Sequence, residues 1–306
     1  MTESVAPRAT VGDSTAHQSF GLTDLLLLTM AVIWGVNFVV VKYATHIFNP
    51  VAFTGLRVGT AAAFLVAFAY ARGGFALSRH DVLRLLFLGV LGNGLYQLFF
   101  VHGVARTRAG NASLIVGAAP AFIALVARAR GMERVKRMTL VGIALSVIGV
   151  ALVIVGSASS SSGNPTTLLG SVLVFLGVLC WTAYTILLQP FTKRIDVIQL
   201  SAVTLVGGAV PLVAASMPSL VATNWSMVGP GGWLALLYSS VLSMGVAYFF
   251  WYRGLRVLGP TRTAVYSNLQ PIVALLAAWA FLGEIPTIFQ GVGAVTIIAG
   301  VFLTRS

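Results

Sequence analysis

The sequence predicts an all-α integral membrane protein of ten transmembrane helices, arranged as two five-helix inverted repeats. Three observations lead there. The first is composition: of 306 residues, 58% are hydrophobic and only 8% are charged, against about a quarter charged in soluble domains. The mean hydropathy is +0.94. Seven Asp and Glu residues cannot cover the surface of a water-soluble fold of this size, so a soluble enzyme is excluded. The second is the run of apolar segments long enough for the ~20 residues a helix needs to cross the hydrocarbon core. They fall at 24–46, 50–71, 82–104, 109–129, 136–156, 168–189, 196–217, 231–252, 259–282 and 286–304. The third is that the two halves of the chain match each other.

These segments leave no room for a soluble domain. Residues 1–23 read as a disordered cytoplasmic tail, 24–156 as the first repeat, 157–167 as an external Ser-rich linker and 168–306 as the second repeat. The tail has no basic region ahead of a short apolar one, so it does not read as a signal peptide. With the N-terminus inside, 15 of the 19 basic residues fall in cytoplasmic segments. Lys42, Arg106 and Arg108 fall outside and Arg57 lies within the second span. That bias follows the positive-inside rule and puts both termini in the cytoplasm. The net charge of +12 is scattered between apolar runs, which encodes topology and argues against a nucleic-acid partner. A single cysteine, Cys180, excludes a disulfide framework and a thiolate metal site.

Shifted by 151 residues, 96–150 overlays 247–301 without a gap. Phe99 meets Phe250, Gly103 meets Gly254, Pro120 meets Pro271, Glu133 meets Glu284, Gly142 meets Gly293 and Gly149 meets Gly300. The first spans match at a shift of 147, where Trp34-x-x-Asn37 meets Trp181-x-x-Tyr184. An odd number of spans per half forces the second half to enter the membrane in the opposite direction. Inverted repeats of this kind exchange outward-open and inward-open states around a midplane site, which is the architecture of transporters. The structural alternative is that duplication merely built a larger bundle.

Several motifs together resemble the EamA-type branch of the drug/metabolite transporter superfamily. They are Trp34-Gly35-Val36-Asn37-Phe38 followed by Lys42, Phe53 and Arg57 in span two, Gln270-Pro271, Gly283-Glu284, Gln290, Gly293 and Gly300-Val301. The likeness covers about residues 22–304 and is nearest to bacterial amino-acid exporters. It implies a central cavity lined by spans one, three, four, six, eight and nine, and export or exchange of metabolites across a bacterial inner membrane. Met132-Glu133 departs from the Gly-Glu step of the second half.

The chain has no GxxxxGK[ST] phosphate loop, no HExxH and no Cys/His cluster, so neither ATP hydrolysis nor metal chemistry is expected, and no cofactor. Glu3, Asp13, Asp24, Asp81, Glu133, Asp196 and Glu284 all fall in the tail or at span ends. Proton-coupled transporters and cationic-drug pumps use an intramembrane carboxylate; its absence predicts facilitated diffusion. His46 and His102 lie near external span ends, where a structural role competes with proton carriage. For Arg57 a structural role is preferred to an anion contact, because the family places span two at the periphery. Lys42 sits near enough to the external surface to extend outward.

Pro120 and Pro271 lie near the middles of spans four and nine, where each removes a helix hydrogen bond. At that depth, freed backbone groups must be buried in protein or face a wet cavity. The paired prolines therefore mark either the cavity or a packing kink. Ser267, Asn268 and Gln270 surround Pro271, and Gly117 is the counterpart of Asn268. Among the aromatics, Trp34, Tyr96, Phe100, Trp181, Tyr184, Tyr248 and Tyr266 are expected at the cavity, and Trp34 shares a helical face with Asn37. Trp251 and Tyr252 are expected in an interfacial belt. Gly89, Gly92, Gly94, Gly291, Gly293 and Gly300 are expected to allow close helix packing. The function this predicts is alternating-access export of amino acids, aromatic or apolar, or of related metabolites. Multidrug efflux is the alternative within transport, and a receptor or scaffold the alternative outside it. The partners are a small-molecule substrate and membrane lipid; a monomer and a dimer are both compatible.

Overall fold

The computed structural model describes residues 21–131, 137–160 and 165–303. The expected tail up to residue 20, Glu133 and the middle of the Ser-rich linker lie outside the described residues. In chain order the elements are α1 (Leu22–Ile47), α2 (Pro50–Ala71), α3 (Arg79–Gly89), a π-helical turn (Val90–Leu95), α4 (Tyr96–Arg106), α5 (Ala109–Gly117), α6 (Ala119–Ala129) and α7 (Arg137–Ser160). Then follow α8 (Pro165–Thr192), α9 (Val197–Val221), a 3-10 turn (Trp225–Met227), α10 (Pro230–Leu237), a second π-helical stretch (Tyr238–Val246), α11 (Ala247–Val257), α12 (Pro260–Tyr266), α13 (Leu269–Leu282) and α14 (Ile288–Leu303). Helix α7 runs to Ser160 and α8 starts at Pro165, so part of the expected linker, 157–160 and 165–167, is helical.

Eight helical units are long and apolar enough to cross a membrane: Leu22–Ile47, Pro50–Ala71, Arg79–Arg106, Ala109–Ala129, Thr167–Thr192, Val197–Val221, Pro230–Val257 and Pro260–Leu282. Two shorter apolar helices accompany them, Leu140–Gly156 and Ile288–Gly300. Their outer faces are oily, with Phe68, Phe87, Val210, Leu276, Phe281 and Phe302 exposed. In water that surface would aggregate; in lipid it is the matching face.

Chain-local chemistry sets the helix ends. Asn49 caps α2 by accepting from the Val51 N–H ahead of Pro50, Ser78 accepts from Asp81 N–H at α3, and Asp196 accepts from Ile198 and Gln199 N–H at α9. Gly283 closes α13 at φ 65°, a conformation that favours glycine. That turn aims the Glu284 carboxylate at the start of α5, where it accepts from Ala109 and Gly110 N–H at 3.1 and 3.3 Å. Arg108 lies 3.8 Å from the same carboxylate. The remaining acids among the described residues also sit at helix termini: Asp24 accepts from Tyr266, and Asp81 takes a two-point ion pair from Arg194 at 2.6 and 2.8 Å.

Packing is between halves more than within them: α2 lies along α9, α7 along α14, α4 along α8, and α1 along α13 and α11. Small residues permit these approaches. A Cβ on Gly89 would stand 2.0 Å from the Thr204 carbonyl oxygen, and one on Gly207 2.1 Å from that of Leu86. Gly92 abuts the Tyr184 ring, and Gly293 and Gly300 abut α7. Gly94 and Gly291 differ from expectation: the first has only ordinary contacts and the second faces open space.

Candidate functional site

The cavity between the halves is built from broken helices. Proline cannot donate a backbone hydrogen bond and clashes with the preceding turn, so the fourth apolar segment divides into α5 and α6 at Ala118 and the ninth into α12 and α13 at Ser267–Asn268. The carbonyl of Ser267 is taken instead by Gln270 N–H at 3.0 Å. These two breaks bring Val116, Ala119, Ser267 and Gln270 to one cavity wall. Helix α1 adds Trp34, Asn37 and Phe38, α4 adds Tyr96, Gln97 and Phe100, α8 adds Val178 and Trp181, and Ser243, Met244 and Tyr248 close the far side. Arg57 enters from α2.

The free space in the chamber is about 40 Å³. A water needs at least about 10–15 Å³ on this measure, so the chamber holds a few waters and no amino acid. What fills the centre is a cage of rings. Trp181 stands 5.9 Å from Trp34, 5.1 Å from Tyr96, 5.4 Å from Tyr184, 5.7 Å from Tyr248 and 5.6 Å from Trp251. Edge-to-face and tilted pairs at these spacings are the favourable ones. Several polar ends of the rings are tied down, although Trp251 Nε1 is buried without a partner: Trp34 Nε1 donates to the Ser243 carbonyl at 2.9 Å, in the π-helical stretch, and Tyr238 OH donates to the Ile33 carbonyl at 3.0 Å. Gln97 Nε2 donates to Tyr248 OH at 2.9 Å, and the Tyr184 and Tyr252 hydroxyls meet at 2.5 Å.

Of the residues expected at the site, Trp34, Asn37, Tyr96, Phe100, Trp181, Tyr248, Ser267 and Gln270 line the cavity. The others sit behind it. Tyr184 is fully buried below Trp181. Gly117 packs on Pro271, whose Cγ would lie 2.6 Å from a Cβ there. Pro120 is buried in α6. Asn268 sits at the α12–α13 break with a buried Oδ1 that has no partner, and Tyr266 is engaged with Asp24.

Two expectations fail. Trp251 and Tyr252 are not in a belt; they are 1% and 0% exposed and belong to the ring cage. The signal was present in the spacing, since Tyr248, Trp251, Tyr252 and Leu255 fall on one helical face and all are buried. Arg57 is not peripheral: it is 1% exposed and reaches the cavity past Phe53 and Phe100. Gln97, Ser243 and Met244 escaped the sequence reading altogether. Lys42 and His102 are tied to the end of α4. Lys42 Nζ donates to the carbonyls of Val104, Ala105 and Thr107 at 2.8–3.1 Å. Arg106 Nη1 lies 3.0 Å from His102 Nδ1; a guanidinium only donates, so Nδ1 is the acceptor. Among the described residues, no group of three or more His, Cys, Asp or Glu could hold a metal ion.

Membrane-length apolar helices around a chamber lined by rings and amides describe a multi-pass membrane protein. The chain belongs to the EamA-like transporter family, whose model matches it twice, over residues 21–155 and 168–306. It is similar to the uncharacterized transporter YyaM of Bacillus subtilis, at 29% identity over 92% of each chain. An uncharacterized transporter of Archaeoglobus fulgidus is 30% identical over 93% of this chain and 97% of its own. A probable amino-acid metabolite efflux pump of Salmonella typhimurium is 28% identical over 91% of this chain and 93% of its own. A crystal structure with 19% identity has the same fold, at a TM-score of 0.66 over 92% of this chain and 98% of that one.

Proposed function

We propose that the protein exports amino acids with aromatic or apolar side chains, or related small metabolites, by alternating access. It spans a bacterial cytoplasmic membrane ten times with both termini inside, and works as a facilitator without proton coupling. The observation that carries the reading is the central chamber, whose rings suit an apolar side chain and whose amides and hydroxyls suit a polar head. The likeness to a probable amino-acid metabolite efflux pump agrees with it.

Alternating access rests on the halves being inverted copies. Several contacts support that. Under the duplication, at a shift of 147 for the first spans and 151 for the later ones, α2 with α9 and α7 with α14 are self-paired, and α4 with α8 becomes α11 with α1. Gly300 lies against the Gly142 carbonyl, and its shifted equivalent, Gly149, against that of Gly293. The π-helical turn at Val90–Leu95 corresponds to part of the stretch at Tyr238–Val246.

Facilitation is supported by the acids. Among the described residues every carboxylate sits at a helix terminus, and none lines the cavity. Counterflow of labelled phenylalanine or leucine into proteoliposomes tests the reading. Exchange is expected, with a rate that an imposed pH gradient leaves unchanged. Uphill accumulation driven by protons would remove the facilitator, and exchange of no amino acid would remove the substrate class.

A further inference from the structure

A permanent charge faces the cavity without a counter-charge. Arg57 is 1% exposed, and its Nε and Nη1 have no hydrogen-bond partner. The Phe53 and Phe100 rings stand 5.9 Å from its Cζ. The ion pairs among the described residues, Arg108–Glu284 and Arg194–Asp81, do not involve it. Burial of an unpaired guanidinium is costly. A structural cation in a membrane helix recovers that cost from carbonyls, as Lys42 does at the end of α4; Arg57 does not. Its planar fork matches a carboxylate in a two-point geometry. In the same cavity the opposite deficit exists: Asn37 Oδ1 and Gln97 Oε1 are buried acceptors that receive no donor. Spare donors on one group and spare acceptors on two others form the complement of a zwitterion.

We propose that Arg57 is the carboxylate-binding residue of the chamber, with Asn37 Oδ1 and Gln97 Oε1 accepting from the ammonium of the same α-amino acid. The inference rests on the reading that small metabolites pass through this cavity, and it sharpens that reading. A substrate must bring a carboxylate. An amine lacking one meets an uncompensated positive charge in a medium of low dielectric and is rejected. Occupancy by an amino acid needs more than the ~40 Å³ present, so Arg57 also gives the carboxylate a means of stabilising a wider chamber.

The test is ligand binding to the purified full-length protein, read by tryptophan fluorescence from the cage containing Trp34, Trp181 and Trp251. The probes are phenylalanine, phenylacetate (a carboxylate without an amine) and phenethylamine (an amine without a carboxylate). Phenylalanine is expected to bind best, phenylacetate more weakly and phenethylamine not at all. Arg57→Gln and Arg57→Met are expected to weaken both carboxylates at least tenfold, and Arg57→Lys to retain part of the affinity. Ligand-free Arg57→Met is expected to unfold at or above the wild-type temperature, because it removes a buried unpaired charge. Unchanged affinity in Arg57→Gln, tight phenethylamine binding, or no binding of any carboxylate would each overturn the assignment. So would a lowered unfolding temperature in Arg57→Met, or failure of all three variants to fold, which mark a structural arginine. If phenylacetate alone binds, and loses affinity in Arg57→Gln, the carboxylate site stands and the amino-acid reading falls.

Discussion

Replacing Trp181 with alanine is expected to cut amino-acid flux at least tenfold per folded molecule. Trp181 touches Trp34 and Tyr96 on one side and Tyr184, Tyr248 and Trp251 on the other, with centroid spacings of 5.1–5.9 Å. It contacts five rings of the cage, and it is 6% exposed. Its removal opens space beside a chamber of about 40 Å³, so the packing of the cage around it is lost. It also removes a face against which an apolar side chain would rest, and each such ring pair is worth about 0.5–1.5 kcal/mol beyond area burial. Truncation of a buried Trp costs about 3–5 kcal/mol in soluble cores, so thermal unfolding must be followed in parallel. Trp181→Phe, which keeps a ring in place, is expected to recover most of the flux. Wild-type counterflow by Trp181→Ala would show that the cage is scaffolding and that substrate passes elsewhere.

Gly89→Val is expected to abolish the folded bundle. The clash is with backbone: a Cβ at 89 would stand 2.0 Å from the Thr204 carbonyl oxygen and 2.8 Å from its carbonyl carbon. Gly207 makes the reciprocal approach to Leu86 at 2.1 Å, so α3 and α9 cross with no side chain between them. Overpacking costs about 1–3 kcal/mol when flexible side chains relax. A struck helix backbone cannot relax without separating the helices, which places this case at or beyond the upper end. Gly291→Ala is the control. Nothing lies within 4 Å of that position, and exchange of glycine for alanine in a helix interior gains about 1 kcal/mol. Size-exclusion profiles of the detergent-solubilised variants check both. A monodisperse Gly89→Val peak would disprove the tight crossing.

Much of this molecule is legible in its sequence because lipid imposes simple rules. Apolar length reports helices, and the boundaries at Asn49-Pro50, Ser78 and Asp196 follow from capping chemistry. The breaks at Pro120 and Pro271 follow from a missing donor. The chamber is harder to read, because in lipid hydrophobicity no longer separates inside from outside. Trp251 looks like an interfacial residue until its spacing with Tyr248 and Leu255 is seen to select the buried face. Arg57 reads as peripheral with its helix, yet its side chain is long enough to leave that helix's neighbourhood and reach the cavity. Gln97 and Ser243 carry no local signal at all. Gln97 is recognised only by what it touches, and Ser243 contributes its backbone carbonyl to Trp34.

The Gln97–Tyr248 hydrogen bond joins two positions that are 151 residues apart, the same offset that superimposes one half of the sequence on the other. Such a pair is a place where the chain meets its own echo. Were the two units still twins, glutamine would face glutamine or tyrosine would face tyrosine, and each partner would have to give and receive in the same way. Divergence after fusion lets one member specialise in giving and the other in receiving. A homodimer of either half alone would have no such option at this point, so the seam between the units is itself a record of why a single fused polypeptide is an advantage.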